Sequence, residues 1–268
     1  MYNYLLPAVF ILGMVWGSFI NMAVYRVKHE LSFSGRSFCD GNKEKLGALD
    51  LIPILSFFIF RGKCRHCRKK LPWIYPLIEI ITGLCFCLAF LVVTRQMEMS
   101  YWYFINLCVT FTFVVFFIFF GAYDYLYWQV NVKAIRLALI FAVVVAILSI
   151  IFSEILISGV SGLGGGLIAG SIIALIVKFT KGSGMGEGDI YLMAFAGVFV
   201  GLMGILPLFM ISSITGAVVG IIKAVKIGKL HGVQIQFVPF ISFAALMIFF
   251  FGDEISKLLY LDAFINIL

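Results

Sequence analysis

Apolar residues run along this chain in blocks rather than in stripes. Eight blocks of roughly twenty residues, at 4–24, 77–94, 101–121, 133–152, 157–177, 190–206, 207–222 and 236–251, carry almost no charge. A helix rising about 1.5 Å per residue crosses the roughly 30 Å hydrocarbon of a bilayer in about twenty residues, and among open-ended elements only a helix satisfies its own backbone in lipid. The pattern therefore predicts an all-α polytopic membrane protein with about eight transmembrane helices. The stretch Ile190–Ile222 is nearly continuous, and its division into a sixth and a seventh span rests on Gly201, Gly204 and Pro207. The first block is longer than the apolar core of a secretory leader and is followed by a basic loop, so it reads as a retained span. One segment, 26–76, is polar and basic instead. Its apolar centre, LDLIPILSFFIF at 49–60, is too short and too broken by proline to cross, which predicts an interfacial position. The chain thus divides into a first transmembrane helix at 1–25, a small N-terminal lobe at 26–76 and a helical core at 77–268.

Composition narrows the class further. With 63% hydrophobic and 12% charged residues and a mean hydropathy of +1.10, the chain is too apolar for a water-soluble domain. Of its 20 lysines and arginines, eleven fall between Arg26 and Lys70. The positive-inside rule places that lobe in the cytoplasm. Eight spans then also bring Lys133, Arg136, Lys178, Lys181, Lys223, Lys226 and Lys229 to the same side and leave only Arg95 and Lys257 opposite. Seven spans would strand the Lys223 group outside. The net charge of +7 belongs at anionic headgroups of the lipid bilayer and calls for no nucleic acid partner.

Against that background the acidic residues stand out. Glu79, Asp124, Glu187 and Asp189 lie within or beside spans, where an ionisable side chain marks a candidate functional site. Asp124 follows the third block and Asp189 precedes the sixth; the topology sets both at cytoplasmic helix ends. Two facing aspartates share a proton, one serving as base on a water and the other as acid toward a carbonyl or leaving amine. Glycines 184, 186 and 188, in GMGEGD, permit close approach of a substrate strand or a helix to Asp189. Other readings stand beside this one: Asp189 as a helix cap, or the pair as the coupling site of a proton- or cation-coupled transporter. The glycines of GLGGG at 162–166 suit close helix packing.

Six cysteines divide into two groups. Cys85, Cys87 and Cys108 lie in apolar spans as small hydrophobes. In the lobe, Cys64 and Cys67 have a spacing that lets two thiolates hold one zinc, and Cys39 supplies a third, with Asp40, His66 or water as the fourth ligand. The alternative is three cytoplasmic thiols without metal.

These residues carry a resemblance to the type 4 prepilin peptidases, polytopic membrane aspartic proteases of the GxGD class. GSFINMAVYRV at 17–27 resembles the family's first-helix ending, residues 49–83 its cytoplasmic loop entering the second span, and GMGEGDIYLMAFAGVFVG at 184–201 its GxGD segment. The resemblance implies Asp124 and Asp189 as the catalytic pair, 77–268 as the protease core, and cleavage of a basic leader from prepilins or pseudopilins at the cytoplasmic face of a bacterial inner membrane. It further implies N-methylation of the new terminus with S-adenosylmethionine, and zinc in the lobe. Glu79, at the start of the second span, reads either as part of the methyl-transfer site or as a helix-end carboxylate paired to a lysine or arginine of the lobe. A presenilin-like GxGD protease would lack the basic cysteine lobe. Three positions depart from the family pattern: Asn42 stands where a fourth cysteine is usual, Asn131 where a proline is, and Tyr191 where a lysine is frequent.

Overall fold

Residues 3–39, 41–42, 44–157, 159–181, 185–228 and 234–258 are described by a computed structural model. Its regular structure among these residues is two short 3-10 helices, at Asn3–Leu5 and Ala48–Leu51, and nine α-helices: α1 (Leu6–Lys28), α2 (Leu55–Ile59), α3 (Ile74–Gln96), α4 (Tyr101–Tyr127), α5 (Val132–Ile151), α6 (Gly159–Phe179), α7 (Glu187–Val200), α8 (Ile205–Ile227) and α9 (Val238–Leu258). All but α2 answer to the eight apolar blocks, one for one. Seven of them are long and apolar enough to cross a membrane. The eighth, α7, has 14 residues, about 21 Å of rise. It is buried along most of its length, with Leu192, Met193, Phe195, Ala196 and Phe199 sequestered, so neighbouring helices rather than lipid surround it. The sixth and seventh blocks separate where Gly201 adopts φ +72°, a conformation side chains resist.

Helix ends follow local chemistry. Ser100 caps α4 by accepting the Tyr103 N–H at 3.3 Å, and Asn131 caps α5 by accepting the Ala134 N–H at 2.9 Å. The last turn of α4 closes on Trp128, whose left-handed conformation (φ 54°) directs its N–H to the Asp124 carbonyl at 2.8 Å. Asp124 therefore sits inside α4, in its final turn, and Asp189 inside the first turn of α7, where the sequence pattern set them just outside the spans.

The chain forms two compact units. One comprises residues 1–99 and 110–122, the other 100–109 and 123–268, with α4 contributing to both. In the first unit α1 and α3 pack tightly through glycines. A Cβ on Gly13 would stand 2.7 Å from Gly83 Cα, and one on Gly17 only 2.6 Å from Glu79 Cα. Phe86 stacks on Phe111 with ring centroids 4.1 Å apart. Beyond α1 the chain doubles back because the buried Arg26 guanidinium takes four carbonyls, those of Ser32, Ser34, Gly35 and Arg36, at 2.8–3.2 Å. Two tight loops follow, each closed by one antiparallel bridge, Phe38 to Lys45 and Lys63 to Lys70. Between them α2 leaves Leu55, Phe58 and Ile59 exposed and buries Phe57, an apolar surface suited to the membrane interface.

In the second unit the glycines of α6 meet α7. A Cβ on Gly162 would lie 2.7 Å from the Val198 carbonyl, and one on Gly165 would collide with the backbone of Gly197 and Gly201. The small residues are thus packing residues, as in close membrane helix pairs. Asn106 joins α4 to the α5–α6 connection, donating to the Glu154 carbonyl and accepting the Leu156 N–H, both at 2.8 Å.

Candidate active site

The second unit carries the two aspartates together. Asp124 is 5% exposed and Asp189 8%, and their charges interact. What brings them there is the contact of the α7 first turn with the α4–α5 connection: a Cβ on Gly188 would stand 2.6 Å from Val130 Cγ1. At Gly186 the nearest atoms to such a Cβ are 4.0 Å away, so that glycine has room beside it. Gly184 lies outside the described residues. The Asp189 carboxylate accepts the Gly186 N–H at 3.0 Å, which caps its own helix and fixes its orientation. Capping and the charge interaction with Asp124 are here properties of one side chain.

Asp124 is held from another direction. The Val238 N–H, at the start of α9, donates toward its carboxylate, while Oδ2 is buried without a hydrogen bond to any described residue. Gln236, just before α9, donates through Nε2 to the Asp124 carbonyl and, at 3.0 Å, to that of Tyr125. Sequence reasoning missed Gln236 and Val238. The one signal was a polar side chain amid VQIQFVPF.

Two departures from the family pattern have local explanations. Asn131 supplies the α5 cap described above. Tyr191 receives a hydrogen bond from Arg136 at 3.2 Å, and the guanidinium lies 5.0 Å from its ring centroid. A cation from α5 thus accompanies the position where a lysine is frequent.

In the first unit, the sulfurs of Cys39, Cys64 and Cys67 lie within 4.8 Å of one another, Cys39 and Cys64 at 3.3 Å. Burial raises the Cys39 thiol, but the Asn42 and Gly41 N–H groups and the neighbouring thiols outweigh it, bringing it down to about 7. Burial holds the Cys64 thiol above its ordinary range. Three converging sulfurs, one of them readily a thiolate, fit a zinc ion. His66 is not free to be the fourth ligand: Nδ1 meets Glu44 at 2.8 Å and Nε2 meets Asp50 at 3.1 Å, and these two hydrogen bonds raise the imidazole pKa. The Asn42 side chain accepts the Glu44 N–H at 3.3 Å, and Asp40 lies outside the described residues. Of the remaining cysteines, Cys85 is buried, Cys87 half-buried and Cys108 exposed on its helix, so the third departs from the expected burial.

Beside these sulfurs opens a cavity of about 370 Å³ whose walls also include Ser18, Asn21, Asp50 and Glu79. Glu79 is 8% exposed. It accepts the Ile54 N–H at 2.7 Å and hydrogen bonds from Ser18 and Asn21. The Ile54 N–H points there because Ile54 is the centre of a γ-turn, with φ 62° and ψ −52° and a bond from Leu55 N–H to the Pro53 carbonyl. That conformation is strained for a β-branched residue.

Comparison with known proteins agrees with the motif reading. The family model for the bacterial peptidase A24 N-terminal domain matches residues 11–93. The prepilin leader peptidase/N-methyltransferase of Bacillus subtilis (strain 168) is 29% identical over 253 residues, covering 94% of this chain and 96% of its own. That of Neisseria gonorrhoeae is 28% identical over 94% and 92%. The chain is thus similar to prepilin leader peptidase/N-methyltransferases along nearly its whole length. No solved structure matches it.

Proposed function

We propose that this protein is a membrane aspartic endopeptidase that removes the basic leader of type IV prepilins or prepilin-like proteins at the cytoplasmic face of the bacterial inner membrane. The observation that carries the reading is the buried, charge-coupled pair Asp124 and Asp189 at adjoining helix ends. Like charges so close do not both ionise readily, so one carboxyl holds a proton while the other does not. The ionised member takes a proton from water as the water oxygen attacks the scissile carbonyl. The protonated member donates to the carbonyl oxygen, and proton transfer to the amine then lets the C–N bond break. The proton belongs to the pair rather than to either residue. Gly186, with open space beside it, is where a substrate backbone approaches, with Gly184 and Gly188 flanking it. The basic lobe supports the cytoplasmic orientation.

The second activity in this reading is N-methylation of the exposed terminus, housed in the cavity of the first unit and involving Glu79. The buried acceptors on its wall, Asn21 Oδ1 and Asp50 Oδ1, with the Glu79 carboxylate, suit a ligand that brings N–H donors and a cationic group. Bound S-adenosylmethionine would supply a sulfonium methyl group, whose transfer to the amine nitrogen leaves a neutral thioether and releases a proton. Cys39, Cys64 and Cys67 would hold zinc, tying the two bridged loops together. The transporter reading has no support from the relatives.

The test is incubation of the detergent-purified protein with a prepilin-like substrate and S-adenosylmethionine, read by intact mass. Loss of the leader plus one methyl mass is expected. Several such substrates left intact would overturn the peptidase reading, and cleavage without the methyl mass would overturn the second activity alone.

A further inference from the structure

Glu79 is a buried carboxylate whose partners are all neutral: the Ile54 N–H, Ser18 and Asn21. Among the described residues no lysine, arginine or histidine forms an ion pair with it; the ion pairs of this unit belong to His66. A helix-end carboxylate neutralised by the lobe, the plain alternative for this residue, is therefore not what the structure contains. Exposed bases Lys63, Arg65, Lys69 and Lys70 also line the cavity, yet none reaches Glu79. A charge kept from water without a counterion is costly.

The distribution of acceptors refines what would fit. A carboxylate offers about four lone-pair positions, and three donors already occupy Glu79. It has little capacity left for further hydrogen bonds, so what it can offer a ligand is its charge. Elsewhere on the cavity wall, Asn21 Oδ1 and Asp50 Oδ1 are buried acceptors with no hydrogen-bond partner. The cavity thus separates two kinds of complementarity. Asn21 and Asp50 suit N–H groups, whereas Glu79 suits a cation that carries no N–H at all. A sulfonium is such a cation.

We propose that Glu79 is the specificity residue by which this cavity distinguishes a charged sulfonium methyl donor from its spent, neutral thioether. The inference rests on the methyl-transfer reading above and adds to it a direction: loss of the methyl group removes the charge that Glu79 holds, so the product leaves readily. The γ-turn at Ile54 keeps the carboxylate hydrogen-bonded and in place between turnovers.

The experiment is isothermal titration of the full-length purified protein with S-adenosylmethionine and, separately, S-adenosylhomocysteine, for the wild type and Glu79→Gln. Each sample is first checked for monodispersity and thermal unfolding. The wild type is expected to bind the sulfonium at least about tenfold more tightly, and Glu79→Gln, which keeps shape but not charge, to bring the two affinities together. Equal affinities in the wild type overturn the proposal without recourse to any variant, as does a preference that survives in folded Glu79→Gln. If neither compound binds a wild-type protein that still cleaves a prepilin-like substrate, the methyl-transfer reading itself fails.

Discussion

Both units bury carboxylates at helix ends beside glycine-packed helix pairs, yet they treat those carboxylates differently. In the second unit Asp124 and Asp189 interact as charges. In the first, Glu79 stands apart among neutral donors. A pair can divide one proton between two roles, which is what acid–base chemistry on a peptide bond needs. A single carboxylate among neutral donors has no second acid with which to share a proton. In the proposed reading the same residue chemistry, set by its neighbours, serves hydrolysis in one place and recognition in the other.

The comparison breaks most sharply at the aspartates. Asp124→Asn or Asp189→Asn preserves shape but removes the shared proton, and leader cleavage should fall by at least about 10³-fold, followed by mass spectrometry of the substrate. Near-normal cleavage in either variant would dissolve the contrast between the units. On the other side, the wild type should carry about one zinc per chain and Cys64→Ser little or none, measured by elemental analysis. A wild type free of metal after preparation under zinc would leave the three sulfurs as plain thiols.

Smaller effects test the scaffold. Gly165→Ala places a methyl group against the Gly197 and Gly201 backbone, and overpacking of this kind costs about 1–3 kcal/mol. Thermal unfolding should drop accordingly, while an unchanged transition would mean that α6 and α7 can separate freely. Asn131→Ala removes the α5 cap and should cost about 1 kcal/mol, visible in the same melt. Replacement by proline at that position would show whether the usual family residue serves the turn as well as the cap does.

Much was legible before any coordinates. Blocks of apolar residues fix the helix count because lipid forbids an unpaired backbone, and even the division near Gly201 followed from glycine and proline placement. The two aspartates were legible because charge is scarce in such a chain. Less legible were their surroundings. Nothing in sequence order links Gln236 and Val238 to Asp124, more than a hundred residues away, since that link depends on how α9 begins. His66 looked like a zinc ligand by its position between two cysteines, and only the packing of Glu44 and Asp50 against both ring nitrogens removes it from that role.

The sequence by itself determined the environment of this protein, its helices and the residues on which chemistry would be built, because each of these follows from local hydrophobicity or from short spacing. The tertiary structure alone decided which carboxylates are paired and which is solitary. It also decided which sulfurs converge and where unpaired acceptors meet in a cavity, since those outcomes depend on contacts between segments far apart in the chain.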